Sequence, residues 1–274
     1  MAIVANTLLT FSAVGNREAL LDKISNISPV DTPFQSMVDE TTVDATLVEW
    51  QTQTLAAAAA NAQLQGDEYT FSAITPTVRV SNRTQISRKT VIVSGTQNVV
   101  NKAGRDREIV YQMSLMRDEL KRDKEFVLCS NQAPVTGNST TAPQLRPLCG
   151  WYATNTSRGA GGANGTTSAA ATDGTQRAFT EALLTPMLSA AWTSGGAPTM
   201  LITGPKQRGV FSTFNSGSTK FYQIEDKKLT ATIKIYEGDY GIYKMLASRF
   251  VRGASTGADR EVHIIDPKLW AVGH

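Results

Sequence analysis

An α+β fold is what the sequence predicts, and three observations carry that reading. Residues 105–128 keep a helical spacing of apolar positions long enough for one extended helix. Residues 77–93, TVRVSNRTQISRKTVIV, alternate apolar and basic side chains at period two. The last hundred residues switch between short helical and short extended stretches with no regular strand–helix–strand period, which argues against a parallel α/β sheet. With 274 residues and 41% hydrophobic content, the chain can build a sizeable core in one large domain or two modest ones.

Taken in order, the first element is a short helix in NREALLDKISNI, residues 16–27. Asn16 can cap it and Leu20, Leu21 and Ile24 share a face. In SPVDTPFQSMV, Asp31 or Thr32 can serve as N-cap and Pro33 suits the first helical position. Residues 42–54 read as extended. AAAAANAQLQGDEYTF, residues 56–71, has five alanines that favour helix, opposed by Gly66 and polar neighbours, so a short or loose element is expected. The basic/apolar strands of 77–93 follow, then the long helix of 105–128, about 36 Å if continuous. Residues 130–176 are rich in Gly, Ser, Thr, Asn and Ala and read as loop around the aromatic island GWYATN. TEALLTPMLSAAW is helical with Pro186 inside it, TMLITG is a strand, and PKQRGVFSTF is a helix opened by proline. LTATIKIY, YGIYKMLAS, EVHIID and LWAV read as strands, with EGDYG as the turn between the first two.

Charge order along the chain carries more information than its +3 total. Between Ile24 and Val78 there is no lysine or arginine, and Asp31, Asp39, Glu40, Asp44, Glu49, Asp67 and Glu68 sum to −7. Between Tyr69 and Arg105 there is no acid, and Arg79, Arg83, Arg88, Lys89, Lys102 and Arg105 sum to +6. Two readings stay open. The blocks attract each other as arms of one hairpin, or an acidic/basic arm meets its complement on a neighbouring copy and sets the register of an assembly. Nucleic-acid binding by the basic block is disfavoured, because no aromatic side chain interleaves Arg79 to Arg105 as a stacking platform.

RDELKRDKE, residues 117–125, is eight-ninths charged with zero sum. With Leu120 at the centre, Ile109, Met113, Met116 and Val127 form a stripe only about 60° wide, where a globular surface helix shows about 100° or more. Asp118 with Arg122 and Lys121 with Glu125 stand at i,i+4. The stretch is therefore either a solvated helix flank or the spine of a thin protein wall wet on both sides.

Residues for chemistry are scarce. His263 and His274 are the only histidines, and His263 in EVHIID reads as a strand histidine. No GxSxG, HExxH or Walker pattern occurs, and Gly159, Gly161, Gly162 and Gly165 do not form a phosphate loop. Cys129 and Cys149 are the only cysteines, expected as reduced, unpaired thiols, and no local Cys/His cluster suggests zinc. No catalytic residue, cofactor or metal is expected. Nor is a signal peptide or a membrane-spanning run.

The order of segments resembles the tailed-phage major capsid protein family with the Hong Kong 97-like shell fold. The matching pieces are NREALLDKISNISPVDTPF, VEWQTQTLAAAAANAQLQGDEYTF, TQISRKTVIVSGTQ, AGRDREIVYQMSLMRDELKRDKEFVLCSNQA, PKQRGVFSTF, IKIYEGDYGIYKMLASRF and IIDPKLWAV. The first 135 residues carry the most specific motifs. The resemblance implies an N-terminal arm over residues 1–40 and an extended loop over 41–97 that reaches over a neighbour. It implies a peripheral domain over 98–175, with its spine helix at Gly104 to about Ser130, an axial domain over 176–253, and return strands over 254–274. It further implies a structural protein that self-assembles as pentamers and hexamers into an icosahedral shell enclosing double-stranded DNA. That assembly would take place in the host bacterial cytoplasm, with a portal protein as partner and a decoration protein as an optional addition. No long charged helical segment of the kind that acts as a fused scaffold stands ahead of the arm, so a separate scaffolding protein is the expectation. Asp39, Glu40, Glu49, Asp67, Glu68, Arg79, Arg83, Arg88 and Lys89 are the candidate intersubunit contacts. An encapsulin-type compartment holding enzyme cargo would share this fold, and a small-molecule enzyme is the rival of a different class.

Overall fold

The computed structural model describes residues 6–11, 13, 14, 16, 19–69, 71–214, 235–254 and 259–274. In chain order its elements are helix α1 (Pro33–Met37), strands β1 (Asp39–Thr41), β2 (Leu47–Thr52) and β3 (Val78–Arg83), and helices α2 (Gly95–Val99), α3 (Glu108–Leu128), α4 (Leu148–Trp151) and α5 (Glu181–Thr193). Strand β4 (Met200–Thr203), helix α6 (Pro205–Phe211), strands β5 (Ile235–Gly238), β6 (Gly241–Ala247) and β7 (Val262–Ile265), a 3-10 turn at Pro267–Leu269 and strand β8 (Ala271–Gly273) complete them. The mixture is α+β, as expected. The chain divides into one unit of Met1–Val30 with Lys89–Leu120 and a larger one of Asp31–Arg88 with Lys121–His274.

The core of the larger unit is a four-stranded sheet in the order β5-β6-β4-β7. β4 runs parallel to β6 and antiparallel to β7, while β5 and β6 form a hairpin closed at Gly238 and Gly241. Side chains alternate across a strand, so the sheet feeds two cores. Leu201, Val262, Ile264, Tyr243 and Met245 pack with Leu184 and Leu188 of α5 and Phe211 of α6. Ile202 and Ile265 turn the other way, onto Phe34 of α1, Val38, Cys129, Leu148 and Val251. Central β4 is buried on both faces, which is why TMLITG carries no polar alternation. α5 runs unbroken from Glu181 to Thr193 with Pro186 inside it. Strand β8 lies parallel to β1, with Asp39 opposite Ala271 and Thr41 opposite Gly273. Of the predicted strand LTATIKIY, residues 229–234 lie outside the described residues.

In the smaller unit, Ser94 Oγ caps α2 by accepting from Gln97 N at 3.2 Å. Asn98 Oδ1 accepts from Ile109 N in the first turn of α3 at 3.3 Å. Glu108 accepts from Gln112 at 2.8 Å and from Arg105, and these bonds, Gln112's first, hold its carboxyl below the usual range. Gly104, at φ +80°, leads into α3, and a Cβ there would stand 2.8 Å from Ile24 Cγ1. Only glycine meets both conditions without strain.

Several expectations are corrected. Residues 19–27 are not helical. Leu20 and Leu21 are about four-fifths exposed, and without a surface to bury an apolar face a short helix is not stable. Asn16 donates to Thr10 O rather than capping a helix, and Asn26 Oδ1 closes a turn with Ser28 N. The alanine run, expected as a short or loose element, takes no regular structure. The strands of 77–93 reduce to β3, ending at Arg83. Its partner β2 begins at Leu47, and one further backbone bond, Thr84 N to Thr46 O, ends the ladder. In LWAV, Leu269 belongs to the 3-10 turn and the strand starts at Ala271.

The charged stretch is also corrected. Met113 is 60% exposed, so it is not part of a buried stripe. The buried residue of RDELKRDKE is Glu125, with no accessible surface. Its Oε1 accepts from Phe34 N at 2.7 Å and its Oε2 from Gln35 N at 3.0 Å, the orphan donors at the start of α1. Thr32 supplies no side-chain cap there, so a carboxylate about ninety residues away does that work. Gln35 Nε2 adds bonds to Glu125 Oε2 and Lys121 O, and the Arg122 guanidinium lies over the Phe250 ring at 6.0 Å. In the larger unit this part of α3 is anchored through a charged group as well as an apolar stripe.

Candidate assembly surface and a buried polar cluster

Strands β2 and β3 form a two-stranded antiparallel pair, with Leu47 opposite Arg83 and Thr52 opposite Val78. One end is anchored. Asn82 Oδ1 accepts from Arg146 N at 2.9 Å, and Gln132 Nε2 donates to Gln85 Oε1 and Leu145 O at 2.9 Å. Trp50 packs on Trp151 at 5.4 Å, and the Arg146 guanidinium lies over the Trp151 ring at 4.3 Å. The opposite end is exposed. Burial rises along β3 from exposed Val78 to half-buried Arg83. Beyond Thr52, Leu55, Leu64, Tyr69, Phe71 and Ile74 are each more than four-fifths exposed. Ile86 is similarly exposed, while Val80 between it and Val78 is half-buried.

The eight candidate contact residues of the larger unit do not come together as one cluster. Glu49 and Arg79 do meet, Arg79 Nη1 lying 3.4 Å from Glu49 Oε2 on the exposed pair. Arg83 sits at the anchored end, lining a small cavity with Leu47, Pro134 and Arg146. Arg88 is exposed, and Asp67 and Glu68 stand on an exposed turn where Asp67 Oδ1 accepts from Glu68 N. Asp39 and Glu40 belong to β1, and Glu40 lies 4.0 Å from the His274 ring. In the smaller unit, Lys89 stands 3.8 Å from Glu119 of α3.

A second feature escaped the sequence reading. In the larger unit, α4 brings Cys149 beside Glu261 and His263 of the β7 segment, with ligand-type atoms all within 4.8 Å of one another. The absence of a Cys/His cluster, true of local spacing, does not hold in space: more than a hundred residues separate the cysteine from its partners, and no short motif could announce them. Cys149 Sγ donates to Glu261 Oε1 at 3.1 Å, and Arg252 bonds the same oxygen. Arg252 also bonds Asp173 Oδ1 at 2.7 Å. His263, 3% exposed, stacks on Tyr152, whose hydroxyl lies 3.2 Å from its Nδ1. Burial lowers the His263 pKa, partly opposed by Glu261, and raises the Cys149 thiol to about 12. Cys129 is likewise a free, buried thiol. A buried thiol held protonated in this way is a poor nucleophile. The cluster forms part of the wall of an open cleft of about 830 Å³.

No helix among the described residues is long and apolar enough to cross a membrane. A family model described as SU10 major capsid protein matches residues 3–273. A major capsid protein of Escherichia phage Phieco32 is 40% identical over 126 residues, which are 46% of this chain and 36% of that relative. The matched stretch thus spans little more than a third of the relative's length.

Proposed function

The chain belongs to the SU10 major capsid protein family, a family of structural phage shell proteins and not of enzymes, and on that premise we propose that its copies close into an icosahedral shell of pentamers and hexamers around double-stranded DNA. The observation that carries the proposal is the β2–β3 pair with its flanking segments. An isolated two-stranded pair is marginal in water, and a row of large apolar side chains over four-fifths exposed marks a surface meant to be covered. A neighbouring copy is the partner that a coat protein always has at hand.

In finer terms, the fold is of the Hong Kong 97-like kind, with residues 41–97 as the extended loop and α3 as the spine helix. A separate scaffolding protein, a portal protein and, optionally, a decoration protein are its partners, and assembly takes place in the host cytoplasm. The acidic 24–68 and basic 79–105 blocks form the latch between copies. Support for the latch comes from how little of the two blocks is used in the hairpin: Glu49 and Arg79 pair, while Asp67, Glu68 and Arg88 stand exposed.

Two measurements test this. Sedimentation of the purified protein under assembly conditions is expected to give megadalton particles, and a strict monomer or dimer under all conditions overturns the shell reading. The triple variant Arg79→Glu, Arg83→Glu, Lys89→Glu is expected to keep its circular dichroism but fail to form regular shells by electron microscopy. Normal shells from that variant overturn the latch.

A further inference from the structure

We propose that Cys149 Sγ, Glu261 Oε2 and His263 Nε2 bind a divalent transition-metal ion of the zinc class, pinning α4 to the β7 segment. The motive is a pair of atoms the protein leaves unused. Glu261 Oε2 and His263 Nε2 are both buried, and among the described residues neither has a hydrogen-bond partner. They lie 3.6 Å apart, beyond a hydrogen bond. Buried polar groups left without a partner are costly, and a native structure keeps them for a reason.

Their spacing fits a metal. With metal–nitrogen and metal–oxygen bonds of about 2.0–2.1 Å, two ligands of a tetrahedral ion stand about 3.3 Å apart, and a thiolate sulfur about 3.5 Å from either. Small rotations of the side chains would bring the three atoms onto those edges. The other atoms of the same residues are already held as ligands need to be. Glu261 Oε1 is fixed by Arg252 and His263 Nδ1 by the Tyr152 hydroxyl, which leaves Glu261 Oε2 and His263 Nε2 3.6 Å from each other.

Charge also balances. Binding breaks the Cys149 S–H bond, forms a sulfur–metal bond and releases one proton to solvent. The resulting thiolate and the Glu261 carboxylate neutralise a divalent ion, and Arg252 keeps Asp173 as its counter-ion. Sulfur among the ligands selects the zinc class over magnesium or calcium. The protein supplies three ligands, and the cleft gives a water access to the fourth position. The site is independent of the assembly reading, since it lies within one chain.

Cobalt is the probe. Full-length protein stripped with chelator and dialysed against cobalt(II) is expected to hold one ion per chain, with tetrahedral absorption and a thiolate-to-cobalt charge-transfer band that zinc abolishes. Cys149→Ser and His263→Gln are expected to lose the band, and Tyr152→Phe to weaken binding about 10–100-fold. Cys129→Ser is expected to keep the band. In that variant Cys149 is the sole remaining cysteine, so the test stands even where Cys149→Ser does not fold. Failure of the wild type to take up stoichiometric cobalt overturns the proposal, as does a band that disappears with Cys129→Ser.

Discussion

Strands β3 and β4 are both short, yet one is exposed at one end and the other is buried at three of its four positions. VRVSNR of β3 has one partner strand, and its side chains pass from exposed to half-buried along its length. MLIT of β4 has a strand on each side and a core on each face. The difference lies in what the chain supplies around each strand. β4 receives α5 and α6 on one face and α1 with Val251, Ala254 and Ile265 on the other. β3 receives an anchor at Asn82, while Val78 and Arg79 at its other end stand exposed. A strand pattern specifies which side chains can face a core. It does not specify that the core comes from the same chain.

Substitutions in the two regions should therefore separate subunit stability from assembly. The largest loss is expected at Phe211, which has no accessible surface. Phe211→Ala should lower the unfolding free energy of the unassembled subunit by about 3–5 kcal/mol in urea denaturation. Phe71→Ala, at a residue 99% exposed, should change it by less than about 0.5 kcal/mol while reducing shell yield. A comparable stability loss at both positions would mean that Phe71 is packed within the subunit in solution, and the contrast would fail.

Next in size is Glu125. Glu125→Ala leaves the donors at the start of α1 buried and unpaired, and should cost about 2–3 kcal/mol in the same assay. Glu125→Gln keeps an acceptor and should cost less. Nothing local identifies this residue, and its place shows what sequence reading can reach. Helices α5 and α6 and the strands β4, β6 and β7 are legible, because their apolar positions are answered by packing in the same unit, whereas α3 is legible from its helical spacing alone. The helix expected at residues 19–27 fails for the lack of such packing. Glu125 could not be separated from the other seven charges of RDELKRDKE, because its partners lie on α1. The Cys149, Glu261 and His263 cluster is hidden for the same reason, since sequence spacing carries no distance between α4 and β7. The two charge blocks were legible as blocks, but their pairing was not.

Tyr236 gives a smaller effect with a pH signature. Its hydroxyl donates to Glu181 Oε1 at 2.9 Å, and burial first, then that bond, pushes its pKa to about 12. The folded state holds the proton through the range where the unfolded tyrosine, at about 10, gives it up. This contribution is therefore complete below pH 10 and is lost as pH rises towards 12. Tyr236→Phe should cost about 1 kcal/mol at pH 8 and flatten the alkaline limb of the stability profile. An unchanged alkaline limb would assign that limb to other groups.

The smallest stability effect is the most informative about the exposed region. Glu49 and Arg79 form a surface pair worth about 0.2–1 kcal/mol, so reversing either charge should barely move the subunit's denaturation midpoint. What discriminates is the double swap, Glu49→Arg with Arg79→Glu. If the pair acts inside its own hairpin, each single reversal sets like charges against each other and the swap restores the attraction, so shells should return. If the two residues serve separate complements on neighbouring copies, the swap places both charges wrongly and shell yield should stay at or below that of the single variants. Electron microscopy of the four proteins decides it. Recovery would return this pair to the subunit's own stability and leave Asp39, Glu40, Asp67, Glu68, Arg83 and Arg88 as the latch residues still to be examined in the larger unit.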